Sequence, residues 1–162
     1  MADLRNINHI LIGYDRTKEY VINREIIRYN FPNGLDLWLT TVFNGDLDTI
    51  ASGCGENTFI TIPENTGYAY GALDAINAGL RFALAGYRDI VVLTNFDGFF
   101  FNQERYDNLI DDFIASGKPF GAGKHQSHKF PMSDLMLFRK DFLKEFLPLK
   151  AEVYPPRKDI DF

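Results

Sequence analysis

A chain of 162 residues suits one domain, long enough to bury roughly two-thirds of the surface its unfolded form exposes. Its 46% hydrophobic and 24% charged residues are ordinary for a globular protein, and the net charge of −5 argues against non-specific nucleic-acid binding, which needs clustered Lys and Arg. Cys54 is the only cysteine, which excludes an internal disulfide and a cysteine-based zinc cluster.

His9 to Tyr14 reads as a short apolar strand. Thr17 can cap a helix through about Tyr29, with Val21, Ile22 and Ile26 on one face, and the Pro32-Asn33-Gly34 turn stops it. Asp36 to Phe43 forms a second strand ending in Asn44-Gly45. Asp46 to Asn57 is loop with a short irregular helix, and Thr58 to Ile62 is a third strand. From Tyr70 to Gly86 the pattern is helical, because Ala69, Leu73, Ile76, Leu80, Ala83 and Tyr87 recur at threes and fours. The β-branched run Ile90-Val91-Val92-Leu93-Thr94 is a strand buried on both faces, closed by Asn95-Phe96-Asp97-Gly98. Asn102 caps a helix with the stripe Tyr106, Leu109, Ile110, Phe113 and Ile114, which Gly117 ends. Phe120 to Lys124 and Asp134 to Phe138 are two more strands. Lys140 to Leu147 is a short helix closed by Pro148, with an irregular tail from about residue 148. The alternation predicts an α/β protein with a largely parallel sheet, one domain over residues 1–162.

In an open α/β sheet ligands gather beyond the carboxyl ends of the strands, where Asn95 and Asp97 fall. A hard divalent cation takes one or two protein carboxylates, with water and phosphate oxygens completing its shell, so Asp97 suffices to hold one. Asp97-Gly98 between Phe96 and Phe99 equally reads as a hairpin turn. The segment Glu64-Asn65-Thr66-Gly67-Tyr68-Ala69-Tyr70-Gly71 sets glycines at the mouth of a helix. Such glycines either expose backbone N–H groups to an anion or allow close packing. The segment has neither Walker A nor dinucleotide spacing. Gly121-Ala122-Gly123-Lys124-His125-Gln126-Ser127-His128-Lys129 holds two histidines able to bind an acceptor, a phosphate or a metal. Its glycines and serine also fit a solvated loop beside the cleft.

Taken in order, Asn65-x-Gly67-Tyr68, Gly71, Asn77-x-Gly79 and an apolar strand ending Asn95-x-Asp97 resemble the core of family 2-type glycosyltransferases of the GT-A fold. Asn95-x-Asp97 resembles the NxD variant of that family's DxD motif, as in its rhamnosyltransferase-like members. Tyr14-Asp15-Arg16 falls where the family's first nucleotide loop follows strand one. Asn44-Gly45-Asp46-Leu47-Asp48 falls where a D-N-G-S-x-D-like segment follows strand two. The resemblance covers roughly the first 140 residues. It implies a GT-A-like three-layer sandwich with a mostly parallel central sheet, and a nucleotide-diphospho-sugar donor held through Mn²⁺ or Mg²⁺.

By that resemblance Asp97 coordinates the metal and Asn95 lies near the ribose or the transferred sugar. Tyr14 and Asn44 line the base and ribose pocket, with Asn44 replacing a commonly acidic residue. Asp15, Asn65, Gly67 and Asn77 belong to the same substrate-binding set, and His125 lies toward the acceptor. Lys158-Asp159-Ile160-Asp161 matches an E-D-x-D-like segment, so Asp159 is the implied general base, with Lys158 in place of the Glu. The same residues read as an acidic chain end. The implied reaction is inverting sugar transfer to a hydroxyl of a glycan, lipid or protein. Alternatives are a non-catalytic nucleotide- or sugar-binding module, a sugar-phosphate nucleotidyltransferase and a flavodoxin-like domain. The second would want a Gly-rich first loop bearing Arg and Lys, which Tyr14-Asp15-Arg16-Thr17 is not.

A lone cysteine, no apolar run near the length of a membrane span, and a polar Met1 to Asn8 segment make the cytoplasm the default location. Peripheral contact with a membrane stays open. Fifteen Phe and eight Tyr imply a large aromatic core, an aromatic-walled cleft or a homo-oligomer interface.

Overall fold

The computed structural model describes residues 6–14, 17–31, 39–44, 58–62, 68–124 and 131–149. Strand β1 (Ile7–Tyr14) leads into helix α1 (Thr17–Asn30), then β2 (Leu39–Asn44), β3 (Thr58–Thr61) and α2 (Tyr68–Ala85). Next come β4 (Ile90–Asn95), α3 (Gln103–Ser116), β5 (Phe120–Lys124), β6 (Pro131–Arg139) and α4 (Lys140–Phe146). The strands make a six-stranded sheet in the order β3-β2-β1-β4-β6-β5. β1 pairs in parallel with β2 and β4, and β2 with β3, whereas β6 is antiparallel to both β4 and β5. The sheet is therefore mostly parallel, with β6 reversed. A flavodoxin-like sheet has the order 2-1-3-4-5, so this order removes that alternative.

The central strands are apolar on both faces because helices cover both. Ile7 and Leu11 of β1 and Val92 of β4 pack with Tyr20 and Ile27 of α1 and with Tyr106, Ile110 and Phe113 of α3. Ile10 and Ile12 of β1 and Val91 and Leu93 of β4 pack instead with Ala75, Leu80 and Ala83 of α2 and Leu143 of α4. The result is three layers, α1 and α3, the sheet, then α2 and α4. Gly79 sets how closely α2 approaches the sheet: a Cβ there would stand 2.9 Å from Ile10 Cγ2 and 3.1 Å from Val42 Cγ2. Among the described residues no helix is long and apolar enough to cross a membrane.

Several expectations need correction. β1 starts at Ile7, and β6 spans Pro131–Arg139 rather than Asp134 to Phe138, because it is paired along both edges. α1 buries Tyr20, Asn23, Arg24 and Ile27, while Val21 and Ile22 face solvent, Ile22 at 53% exposure. Tyr87 lies beyond the end of α2 and is 76% exposed, and Ile114 also faces outward. The caps of α3 are as expected: Asn102 Oδ1 accepts from the Arg105 N–H at 2.9 Å, and Gly117 takes a left-handed φ of 66°. The tail from residue 150 onward lies outside the described residues.

His9 sits in the middle of this core. Its Nε2 is 3.2 Å from Thr94 Oγ1 and its Nδ1 is 3.4 Å from the Tyr106 hydroxyl. The ring stacks on Tyr106 at 5.7 Å and meets the edge of Phe100 at 5.5 Å. A neutral imidazole, donating at one nitrogen and accepting at the other, satisfies both hydroxyls. Burial lowers its pKa from 6.5 to about 3. The unfolded chain thus takes up a proton that the native state refuses between those values. Stability is complete above pH 6.5 and falls on acidification, by about 1.4 kcal/mol per pH unit from this group. Wild-type protein is expected to lose melting temperature between pH 7 and 4.5 more steeply than His9→Gln. Equal slopes in paired thermal scans would refute the assignment.

Candidate functional site

Strand order reverses between β1 and β4, since β2 and β3 extend to one side of β1 and β4 lies on the other. Such a switch point opens a crevice at the carboxyl ends of the strands. Register puts Tyr14 opposite Asn44 and Ile12 opposite Asn95, so β1, β2 and β4 end along one edge. β6 enters at that edge in the reverse direction, with Leu135 opposite Thr94. Asp134 therefore stands beside Asn95, whose Nδ2 donates to Asp134 Oδ1 at 2.9 Å.

Beyond β4 the chain makes a tight turn, in which the Gly98 N–H donates to the Asn95 carbonyl at 3.0 Å. Three contacts fix it. The Phe96 N–H donates to Ile12 O at 2.9 Å. The Phe96 ring is buried against Tyr20, with centroids 4.8 Å apart, and lies directly over Gly13. Asn23 of α1 donates from Nδ2 to the carbonyls of both Phe96 and Gly98, at 3.0 and 2.9 Å. Held from beneath, the turn presents Asp97 to solvent. The turn reading of Asp97-Gly98 holds, but the hairpin does not. β4 has β1 and β6 as neighbours, and the chain proceeds to α3.

The β6 backbone runs alongside this turn: the Asp134 carbonyl lies 3.4 Å from the position of a Cβ on Gly98. Two carboxylates, Asp97 and Asp134, thus belong to adjoining segments at the switch point. They are hard oxygen donors of the kind that Mg²⁺ and Mn²⁺ take when water and substrate phosphate supply the remaining ligands. Among the described residues no three His, Cys, Asp or Glu side chains converge to hold a metal by themselves. Two carboxylates fit a cation that shares its remaining positions with water and a phosphorylated ligand.

Of the other residues singled out from the sequence, Tyr14 and Asn44 end β1 and β2 at this edge. Asn77 is engaged elsewhere. Its Nδ2 donates to the Leu149 carbonyl at 3.0 Å and its Oδ1 accepts from the Leu149 N–H at 2.8 Å, tying the segment after α4 to α2. Asp15, Asn65, Gly67, His125 and Asp159 lie outside the described residues. Sequence reasoning missed Asn23, Gly13 and Asp134. A polar residue on the same helical face as Tyr20 and Ile27 was the available signal for Asn23.

No protein-family model matches this sequence, and no curated protein matches it. Solved structures do. A mannosyltransferase from Pyrobaculum calidifontis, in complex with GDP-Man and Mn²⁺, superposes with a TM-score of 0.64 at 13% identity over 91% of this chain and 48% of its own. The fold is GT-A-like. A cytidylyltransferase from Leptospira borgpetersenii superposes at 0.59, with 12% identity over 90% of this chain and 65% of its own. A protein described as a nucleotide-diphospho-sugar transferase, from Desulfovibrio desulfuricans, gives 0.56 with 14% identity over 85% and 64%. At these identities the likeness is one of fold. This chain spans about half the length of the mannosyltransferase and under two-thirds of the other two.

Proposed function

We propose that this chain binds a nucleotide-diphospho-sugar and transfers its sugar to an acceptor hydroxyl, with a divalent cation held at Asp97. The observation that carries the reading is the clamped Asn95–Gly98 turn at the switch point, with Asp134 bonded to Asn95 beside it. Asp97, with Asp134 adjoining, would hold Mn²⁺ or Mg²⁺. That ion supplies a Lewis acid for the charge that develops on the departing diphosphate. Asn95 has its amide nitrogen committed to Asp134, which directs its Oδ1 to a hydroxyl of ribose or sugar. Tyr14, Asp15 and Asn44, at or just past the ends of β1 and β2, receive base and ribose. Asn65 and Gly67, just ahead of α2 in the sequence, would bind the phosphates. His125 would contribute to binding the acceptor, and Asp159 would take the proton from its hydroxyl. The acceptor is a glycan, lipid or protein.

The mannosyltransferase complexed with GDP-Man and Mn²⁺ supports the donor and metal classes of this reading. The cytidylyltransferase likeness favours a second one, nucleotidyl transfer from a triphosphate. Calorimetric titration with UDP, GDP, dTDP and CDP, with and without Mn²⁺, alongside the matching triphosphates, separates them. Glycosyl transfer predicts Mn²⁺-dependent binding of one nucleoside diphosphate at least as tight as its triphosphate. A clear triphosphate preference favours nucleotidyl transfer, and binding indifferent to Mn²⁺ overturns the metal role. Sugar-nucleotide binding without turnover across an acceptor screen would leave a non-catalytic module.

A further inference from the structure

A second site lies away from the switch point. α1 begins just past β1 and carries the chain about 20 Å along its 14 residues. At its far end, against the first turns of α3, is a depression of about 550 Å³. Asn30, Phe101, Glu104, Asp107, Asn108 and Asp111 line it, and among the described residues no lysine, arginine or histidine does. We propose that this depression binds an organic cation, an ammonium or guanidinium group on a short alkyl chain.

The second observation pointing to a ligand is Asp107. Only 6% of it is exposed, and its Oδ1 has no hydrogen-bond partner. Its Oδ2 accepts from Gln103 Nε2 at a long 3.4 Å, and Gln103 Oε1 is likewise buried without a donor. Asp111 already has a polar partner, so the unmet demand centres on Asp107 and Gln103. Two buried acceptors without donors in one depression are costly unless a donor arrives from outside, and most so for the carboxylate. The start of α3 accounts for Glu104 in its first turn, where a helix favours negative charge. It does not account for a carboxylate buried in the next turn.

The acceptors also select the kind of cation. Among the described residues no three carboxylates or imidazoles converge on a metal. Spread acceptors suit a cation whose several N–H groups point in different directions. Phe101, largely exposed at the rim, offers a ring face to such a cation. The same chemistry is carried by a free polyamine and by a Lys or Arg side chain of a bound protein.

The test titrates the full chain with 1,4-diaminobutane and ethylguanidinium at constant ionic strength, with butane-1,4-diol as the neutral control. Saturable binding of both cations is expected, with the diol at least about tenfold weaker and Asp107→Asn weakening the cations by about tenfold or more. Gln103→Leu, expected to cost several-fold, serves if Asp107→Asn fails to fold. Asp97→Ala is expected to bind the diamine as wild type does, which keeps this result independent of the donor site. A capped Gly-Arg-Gly peptide binding more tightly than the diamine assigns the natural ligand to a protein, and the reverse order assigns it to a free polyamine. Equal binding of the diol, unchanged affinity in Asp107→Asn and in Gln103→Leu, or displacement of the diamine by low Mg²⁺ would overturn the proposal.

Discussion

Asp97→Ala is expected to abolish Mn²⁺-dependent nucleotide binding and to slow sugar transfer about a thousandfold, while leaving the fold intact. A thousandfold corresponds to about 4 kcal/mol of transition-state stabilisation, within the several kcal/mol that a Lewis-acid cation contributes. The fold should survive because the turn is held through groups that the substitution leaves in place. These are the Phe96 N–H on Ile12 O, the Phe96 ring over Gly13, and Asn23 on two carbonyls. An exposed turn side chain outside that clamp changes stability by roughly 0.5 kcal/mol or less. Thermal melting beside titration with and without Mn²⁺ separates the two effects. Loss of binding together with a large fall in melting temperature would mean that Asp97 serves the fold instead. Undiminished metal-dependent transfer would place the ion elsewhere.

What the sequence revealed of this site was its local part. β4 was legible because a strand covered on both faces must be apolar throughout, and its abrupt end in Asn95 and Asp97 marked the crevice edge. The caps of α3 were legible because Asn102 and Gly117 act within a few residues of themselves. The reversed direction of β6 was not. Direction is set by which strands meet across a long separation, and the pairing of Thr94 with Leu135 leaves no short-range mark. By local pattern Asp134 is the first residue of a strand, and only the antiparallel entry of β6 brings it to Asn95. The buried face of α1 was not legible for a related reason. Apolar periodicity favoured Val21, Ile22 and Ile26, but Asn23 is drawn inward by two turn carbonyls more than seventy residues away. Asn77 and Leu149 are 72 residues apart, so their mutual bond was invisible to any local pattern. His9 is a core residue satisfied by two hydroxyls, and only the fold brings those hydroxyls to it.

The largest effect on folding and function together is expected from Gly13→Ala. Gly13 has no unusual backbone angle, so alanine suits its strand conformation. The obstacle is space. A Cβ at that position would stand 2.2, 2.3 and 2.6 Å from three atoms of the Phe96 ring. Phe96 is fully buried and boxed in by Tyr20, so the ring cannot swing clear without moving the turn that it anchors. Overpacking of this kind costs about 1–3 kcal/mol, and more where neither side can yield. The turn carries Asp97 one residue after Phe96, so the displacement should also weaken Mn²⁺-dependent binding in the molecules that remain folded. A uniformly destabilised protein would instead lose affinity only in proportion to its unfolded fraction. Phe96→Leu supplies the decisive control. A smaller side chain leaves room for the new methyl group, so the double variant should be less destabilised than the sum of the two single ones, with a coupling of about 1 kcal/mol or more. Strict additivity in urea unfolding would show that Gly13 and Phe96 do not act through their contact, and that something other than this glycine holds the turn in place.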